Sequence, residues 1–144
     1  MNVQKEKIII ASGYFNPFHV GHLEYLQLAR QLGDRLIVIV NNDEQVKLKG
    51  SYAFMSEKDR LKIISALKCV DEVFLSIDRD SSVCKSIEFL KKSKGVSVFA
   101  KGGDKNIGNI PEKEICSKLK IQIVDGLGKK IRASSDLIKN SRKK

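Results

Sequence analysis

The chain alternates short apolar runs with longer stretches in which apolar residues recur at helical spacing. Residues 8–11 and 35–40 are mostly apolar and rich in β-branched side chains, which is typical of strands buried on both faces of a parallel sheet. Between them, apolar residues of the segment 20–32 recur as in an amphipathic helix, and Gly33 suits a helix C-terminus. The first part of the chain therefore predicts a strand–helix–strand unit.

The same alternation continues through the rest of the chain. Further strands are predicted at residues 72–75, 96–100 and 122–124. Further helices are predicted at residues 56–67, 82–92 and 111–119, with a last helix capped by Ser134, Ser135 and Asp136. The helix at 56–67 opens on Ser56 with Asp59 three positions later, a capping box with Asp in place of Glu or Gln. The polar, lysine-bearing stretch 41–55 is predicted to be a loop or lid.

Five strands that alternate with helices predict one α/β domain, a single Rossmann-like doubly wound five-stranded parallel sheet with helices on both faces. We expect this domain to span residues 1–139, followed by a basic tail at 140–144. The chain has 144 residues, of which 42% are hydrophobic, and this is enough for a core without metal or disulfide support. Its three cysteines, Cys69, Cys84 and Cys116, form no CxxC pair and indicate reduced thiols. With neither a long apolar run nor a signal-peptide pattern, a cytoplasmic protein without a membrane anchor is expected.

The net charge of +10 changes the picture, because residues 1–72 carry +1 and residues 73–144 carry +9. Such an excess suggests a nucleic-acid-binding protein. Aromatic residues make up only 6% of the chain, tryptophan is absent, and the lysines do not line one helix face with interleaved aromatics. Nucleic acid is therefore the less favoured partner. A salt-sensitive shift with DNA that ATP and CTP leave unchanged would favour it.

Candidate chemistry lies directly after the first strand, in the segment 12–22. It holds the only two histidines of the chain, His19 and His22, three positions apart at a predicted helix start, so both rings point to one side. Gly21 between them allows a ligand close to the backbone, and a helix N-terminus favours anions. The pair could ligate a metal, serve structure alone, or donate hydrogen bonds to phosphate. Zinc usually takes three or four protein ligands, which disfavours the first alternative.

The segment Gly13-Tyr14-Phe15-Asn16-Pro17-Phe18-His19-Val20-Gly21-His22 resembles the G-x-F-[DN]-x-x-H-x-G-H signature of the cytidylyltransferase-like nucleotidyltransferase superfamily. Residues 40–43 with Lys47 and Lys49, and then residues 57–60, resemble that family's segment after its second strand. Residues 99–104, FAKGGD, are similar to the V-K-G-G-D stretch of bacterial heptose-phosphate adenylyltransferases. Residues 132–135, RASS, stand where the family has S-T-T or S-S. The resemblance covers most of the chain.

This resemblance implies a nucleotidyltransferase. The phosphate of an acceptor attacks the α-phosphorus of a nucleoside triphosphate and pyrophosphate leaves, with no covalent enzyme intermediate. Such chemistry requires positioning and charge stabilisation. The implied catalytic residues are His19, His22, Lys49 and Arg60. The implied substrate-binding residues are Asn41 and Asp43. The implied nucleotide-binding residues are Gly13, Tyr14, Phe15, Gly21, Lys47, Lys101, Gly102, Gly103, Asp104, Arg132, Ser134 and Ser135.

Several of these residues have simpler alternatives. Lys47 and Lys49 could be solvated charges, and Arg60 could pair with Glu57. The Gly-Gly pair could form only a turn, and the serines could serve only as helix caps. The family also implies Mg²⁺ carried on the triphosphate, with no metal site formed by the protein, and a homodimer.

The identity of both substrates is open at this point. The Lys-Gly-Gly-Asp block favours ATP and a sugar 1-phosphate such as a heptose phosphate, with CTP and glycerol 3-phosphate or another polyol phosphate as the alternative. A nucleotide-binding regulator without turnover is disfavoured because binding alone does not require both histidines. Tyr14 replaces the more frequent Thr of the signature, and residues 126–131 are unusually basic. The absence of the kinase domain that is fused to some heptose enzymes implies a stand-alone transferase.

Overall fold

Among the residues that the structure describes, five parallel strands form one sheet in the order β3-β2-β1-β4-β5. The structure is a computed structural model, and it describes residues 6–102 and 110–127. The strands are β1 (Ile8–Gly13), β2 (Arg35–Val40), β3 (Glu72–Leu75), β4 (Val96–Ala100) and β5 (Gln122–Val124). The helices are α1 (Val20–Arg30), α2 (Asp43–Leu48), α3 (Glu57–Ser65), α4 (Cys84–Lys94) and α5 (Glu112–Lys118). The predicted fold class is confirmed.

The apolar runs of the central strands build two cores, one on each face of the sheet. Ile9 and Ala11 of β1 belong to the core that Leu26 of α1 and Ile64 of α3 complete. Ile8 and Ile10 point to the other face, where side chains of α4 and α5 cover them, among them Ile87 and Cys116. Because both faces are covered, β1 and β2 have almost no polar positions, which explains their continuous apolar runs.

β4 keeps both cores filled despite an irregularity in its pairing with β1. Ile8 pairs with Val96 but Ile9 pairs with Val98, so Ser97 is an extra residue at that point. As a result Val96 and Phe99 lie in the same core although they are three positions apart. Phe99 therefore fills the α4 and α5 side at the position next to the end of the strand.

The strand order reverses between β1 and β4. The chain proceeds from β1 outward through β2 to β3 and then returns to place β4 on the other side of β1. The loops that follow β1 and β4 consequently diverge at the carboxyl edge of the sheet, and in open α/β sheets this divergence is where ligands bind. The first strand continues to Gly13, so the signature segment starts at this edge.

The prediction of a loop throughout 41–55 is wrong for its first part, which forms α2. Asn42 caps this helix: its side chain accepts from the Gln45 backbone N–H at 2.9 Å, and Gln45 Oε1 accepts from the Asn42 N–H at 3.1 Å. This reciprocal pair is a capping box with Asn at the N-cap. With six residues and only Gln45 and Val46 buried, α2 has no apolar period to announce it.

Strands β2 to β5 have the predicted bounds, and the other predicted elements within the described residues are present with shifted ends. α1 ends at Arg30 rather than at residue 32, α3 ends at Ser65, and α4 spans residues 84–94 rather than 82–92. The last predicted helix, the boundary at residue 139 and the basic tail lie outside the described residues. Part of the positive charge of residues 73–144 stabilises a helix end. Lys91, Lys92 and Lys94 form the basic last turn of α4, where cations interact favourably with the helix dipole.

Candidate active site

The two histidines form the N-terminal cap of α1. His19 is the N-cap residue, and its Nδ1 accepts a hydrogen bond from the Gly21 N–H at 3.1 Å. His22 Nδ1 accepts from the His19 N–H, also at 3.1 Å. The rings are nearly parallel, with centroids 3.8 Å apart and an interplanar angle of 28°. Both imidazoles therefore lie together beside the end of β1.

These caps determine which ring nitrogen carries the proton. A nitrogen that accepts an N–H hydrogen bond cannot itself be protonated, so in a neutral ring the proton is on Nε2. Each of His19 and His22 therefore retains an Nε2–H donor that the capping contacts do not use. Burial, and then the neighbouring His19, lowers the pKa of His22 from 6.5 to about 4. At neutral pH His22 is an uncharged donor.

Aromatic packing fixes the orientation of His22. The Phe15 ring meets it edge-on at 5.2 Å, and Phe18 stacks on it at 5.8 Å. Phe15, implied as a nucleotide-binding residue, is only 1% exposed, so its ring belongs to the core. Its ring lies against Gly13, where a Cβ would come within 2.6 Å of the ring. The glycine and the phenylalanine of the signature thus serve to place the histidine.

The requirement for glycine at position 21 also has a local structural reason. A Cβ at this position would lie 3.0 Å from the His19 ring, because that ring folds over the Gly21 backbone to make its cap. The sequence suggested that Gly21 admits a ligand. The structure shows that the missing side chain at Gly21 leaves room for the His19 ring.

Arg60, which the resemblance implies as a catalytic residue, lies inside the protein, where internal contacts occupy its side chain. Its side chain is fully buried, and Nη2 forms an ion pair of 2.6 Å with Asp43. The guanidinium also donates to the backbone carbonyls of Tyr14 at 2.9 Å, Asn41 at 2.5 Å and Met55 at 3.0 Å. We call this arrangement the arginine junction. It holds together the ends of β1 and β2, helix α2 and the segment before α3.

The two predicted substrate-binding residues near α2 make their polar contacts within the protein, although the Asp43 side chain is 36% exposed. Asn41 is 4% exposed, and its amide donates to Gln45 Oε1 at 3.1 Å, which contradicts a direct contact with substrate. Asp43 pairs with Arg60, and its backbone N–H donates to Glu57 Oε1 at 2.8 Å. Glu57 therefore caps α2 through Asp43 and is not the partner of Arg60.

Lys47 and Lys49 are both exposed and have different neighbours. Lys49 follows the last residue of α2, and its Nζ lies 4.3 Å from the centre of the Tyr14 ring. Lys47 forms a surface ion pair of 3.4 Å with Glu44. Together with Arg79 from the loop after β3, Lys47 also borders an open cleft of about 500 Å³.

Two predicted nucleotide-binding residues lie at the end of β4. The Lys101 N–H donates to the Val124 carbonyl at 2.7 Å, and its Nζ lies 5.6 Å from the Phe99 ring centre. Gly102 lies against Tyr25, whose ring would be 2.9 Å from an added Cβ. The predicted residues Gly103, Asp104, Arg132, Ser134 and Ser135 lie outside the described residues.

Sequence reasoning missed two residues that shape this edge. The Tyr25 hydroxyl donates to the Ala100 carbonyl at 2.6 Å and accepts from the Ser12 N–H at 3.2 Å, so it bridges β1 and β4 where they diverge. Asn16 accepts from the Met55 N–H at 3.1 Å and donates to the Tyr52 carbonyl at 2.8 Å. Asn16 occupies the Asp/Asn position of the signature, so that motif was the available signal. Tyr25 had only its helical spacing, which is equally typical of core residues.

Neither a metal-binding cluster nor a membrane-spanning helix is found among the described residues. Within residues 6–102 and 110–127, no group of three or more His, Cys, Asp or Glu side chains is placed to hold a metal ion. In the same part of the chain no helix has the length and apolar character needed to cross a bilayer.

A doubly wound parallel sheet with paired imidazole donors at its switch point is the arrangement of a nucleotide-binding α/β protein. The Cytidylyltransferase-like family model matches residues 10–138, which include the histidine pair, the arginine junction and the segment after β4. The chain therefore belongs to the Cytidylyltransferase-like family, and the resemblance noted in its sequence is confirmed.

Individual relatives agree with this assignment. The bifunctional protein HldE of Citrifermentans bemidjiense is 39% identical over 84% of this chain, and the FAD synthase of Pyrococcus abyssi is 34% identical over 81%. The match covers 25% of the HldE protein but 77% of the FAD synthase, so the chain spans about a quarter of its HldE relatives. A lipopolysaccharide core biosynthesis protein of Thermoplasma volcanium has the same fold, with a TM-score of 0.69 and 27% identity over 83% of this chain and 95% of that one.

Proposed function

We propose that this chain is an adenylyltransferase that acts on a sugar 1-phosphate. A phosphate oxygen of the acceptor attacks the α-phosphorus of ATP and forms the new P–O bond. The bond from that phosphorus to the oxygen it shares with the β-phosphate breaks, and pyrophosphate leaves. The acceptor phosphate is largely ionised at neutral pH, so the attack requires no strong general base.

The histidine pair is the observation that carries this proposal. His19 and His22 each keep an Nε2–H donor at the carboxyl edge of β1, and their Nδ1 atoms are fixed by backbone N–H groups. Negative charge that accumulates on the phosphoryl oxygens during transfer is stabilised by donors that need no reorganisation. The N-terminus of α1, which the two rings cap, adds the partial positive charge of the helix dipole at the same place.

The choice of ATP and of a sugar phosphate rests on the relatives. HldE combines a heptose 7-phosphate kinase with a heptose 1-phosphate adenylyltransferase, and FAD synthase is also an adenylyltransferase. The neighbour from Thermoplasma volcanium is a lipopolysaccharide core protein, which agrees with a sugar acceptor. Transfer from CTP to glycerol 3-phosphate or another polyol phosphate is the alternative, and the family description, Cytidylyltransferase-like, agrees with CTP as its nucleotide.

Mg²⁺ enters this proposal with the nucleotide. Mg²⁺ commonly binds substrate phosphates and keeps several waters, with one or two protein carboxylates at most. We assign no protein ligand to it. When bound, the ion neutralises charge on the triphosphate, while the histidines orient the transferring group.

A homodimer remains a prediction from the family. Light scattering coupled to size-exclusion chromatography, compared with the 16.2 kDa chain mass, measures it directly.

The activity test measures pyrophosphate release with Mg²⁺, each of the four nucleoside triphosphates and a panel of acceptors. The panel contains sugar 1-phosphates, glycerol 3-phosphate and, because of the FAD synthase relative, FMN. We expect turnover with ATP and a sugar 1-phosphate. Turnover with CTP and glycerol 3-phosphate alone would establish the alternative, and no pyrophosphate with any pair would reject the proposal.

Matched substitutions separate the donor from the cap. In His22→Asn the amide oxygen takes the place of Nδ1 and keeps the capping contact, but the Nε2–H is lost. Loss of one preorganised donor lowers the rate by about 100- to 1000-fold. His22→Gln places an amide N–H near the Nε2 position and should recover part of that loss. Full activity of a folded His22→Asn protein would exclude the proposed role.

A further inference from the structure

Tyr14 stands where the family signature more often has Thr, and its ring has a fixed setting. Its carbonyl accepts from Arg60 Nη1 at 2.9 Å, so the arginine junction anchors its backbone. The ring is half-buried, and this burial, with the nearby Glu112 carboxylate, raises the pKa of the Tyr14 hydroxyl. Tyr14 therefore has an anchored backbone and a partly buried ring, and it precedes Phe15, whose ring contacts His22 at 5.2 Å.

Lys49 lies over the Tyr14 ring. Its Nζ is 4.3 Å from the ring centre, within the range of a cation–π contact. The stem of Lys49 starts at the C-cap of α2, a helix whose other end is fixed by its capping box and by the ion pair of Asp43 with Arg60. The ring and the helix end together restrict a side chain that is otherwise exposed.

We propose that Tyr14 is a positioning residue that holds the Lys49 ammonium at the carboxyl edge of β1, ready to bind the phosphates of the nucleotide. The proposal rests on the proposed function and adds to it that Lys49, which the family resemblance implies as a catalytic residue, contacts the triphosphate. An ammonium group has three N–H donors. With the ring on one side of the ammonium, the other side remains available to phosphate oxygens, so the ring contact persists when nucleotide binds.

The strength of the contact sets the expected effect. A free lysine side chain loses substantial rotamer entropy when it is held in one place, and Tyr14 provides part of that ordering in advance. An exposed cation–π contact corresponds to about a 2- to 5-fold change in an equilibrium constant. Tyr14 therefore adjusts nucleotide affinity, whereas Lys49 supplies the charge.

Kinetics of five variants test the proposal. Tyr14→Leu should raise the KM for the nucleotide by about 2- to 5-fold with kcat nearly unchanged, and Tyr14→Phe, which keeps the ring, should restore it. In the Lys49→Met background, Tyr14→Leu should have no further effect. Tyr52→Leu is the control, because Tyr52 is 65% exposed and meets Asn16 only through its backbone carbonyl. A lower KM in Tyr14→Leu would mean that Lys49 leaves the ring on binding, and it would overturn the proposal.

NMR of the free protein provides a test that does not depend on catalysis. The ring current of Tyr14 should shift the Lys49 side-chain protons upfield, and Tyr14→Leu, but not Tyr52→Leu, should abolish that shift. Unshifted Lys49 protons in the unaltered protein would refute the contact. If the shift is present but Lys49→Met leaves nucleotide binding intact, Lys49 does not bind the nucleotide and the positioning role of Tyr14 is overturned, whereas the proposed function stands on the histidines.

Discussion

The histidine pair and the arginine junction lie at the same edge of the sheet and use their polar atoms in opposite ways. His19 and His22 use one nitrogen each for the backbone and leave the other free to face a ligand. Arg60 uses its guanidinium to bind the protein itself, with three backbone carbonyls and Asp43 as acceptors. A charged residue within the signature motif's region can therefore serve structure alone, and the burial of its side chain distinguishes such a residue from one that faces a ligand.

The largest expected effect concerns the stability of the arginine junction. Arg60→Ala leaves three backbone carbonyls and the partly exposed Asp43 carboxylate without their donor, and each buried acceptor that is left unsatisfied costs about 1–3 kcal/mol. We expect this decrease in the free energy of unfolding by urea denaturation. Arg60→Lys should recover little, because an ammonium group cannot match the planar guanidinium.

Arg79→Ala is the matched control, since Arg79 is exposed and its loss should change stability by no more than about 0.5 kcal/mol. If Arg60→Ala were as stable as the unaltered protein and only nucleotide affinity fell, Arg60 would be a ligand-binding residue after all, and the contrast with the histidines would disappear.

An intermediate effect is expected at Tyr25, whose hydroxyl joins β1 to β4 at the carboxyl edge of the sheet. Tyr25→Phe leaves the buried Ala100 carbonyl without its donor, at a cost of about 1–3 kcal/mol. Because the bridge sets the separation of the ends of β1 and β4, nucleotide affinity should fall as well. Chemical denaturation and equilibrium nucleotide binding measure the two effects. Unchanged values in both would show that the bridge has no part in shaping this edge.

The smallest expected effect is the pH dependence of His22. Its pKa is lowered from 6.5 to about 4 in the folded protein, so between these values the unfolded chain binds the proton more readily. The contribution of His22 to stability is therefore complete above pH 6.5 and is lost as the pH falls towards 4. Half-exposure of the ring keeps the change small.

An NMR titration of the ring protons should give a His22 midpoint near 4. The decline in stability between these pH values should be weaker in His22→Asn. A midpoint near 6.5 would mean that the ring is fully solvated and that the caps do not hold it.

Much of the fold was predictable because burial on both faces leaves a strong mark on a sequence. The apolar runs at 8–11 and 35–40 correspond to β1 and β2, and the helix between them to α1. Helix α2 was missed because six mostly polar residues cannot show a period. Its capping box, Asn42 to Gln45, was present in the sequence and is the signal that could have identified it.

The signature motif predicted which residues lie at the site, but it did not predict the role of each residue. The spacing of His19 and His22 indicated two rings at one helix start, and both lie there. The same resemblance implied that Arg60 is catalytic, that Asn41 binds substrate and that Phe15 binds nucleotide. The side chains of all three residues are buried. Spacing along the chain does not report burial, which depends on segments that are distant in sequence.

The sequence by itself determined the order of strands and helices, the two faces of the central strands and the helix start with its paired histidines. These features follow from local periodicity and capping, which neighbouring residues carry. Only the tertiary structure decided that Arg60 pairs with Asp43, that Tyr25 joins β1 to β4, and that Lys49 rests on Tyr14. Each of these contacts joins residues 17 or more positions apart, where folding alone brings the partners within the few ångströms over which hydrogen bonds and cation–π contacts act.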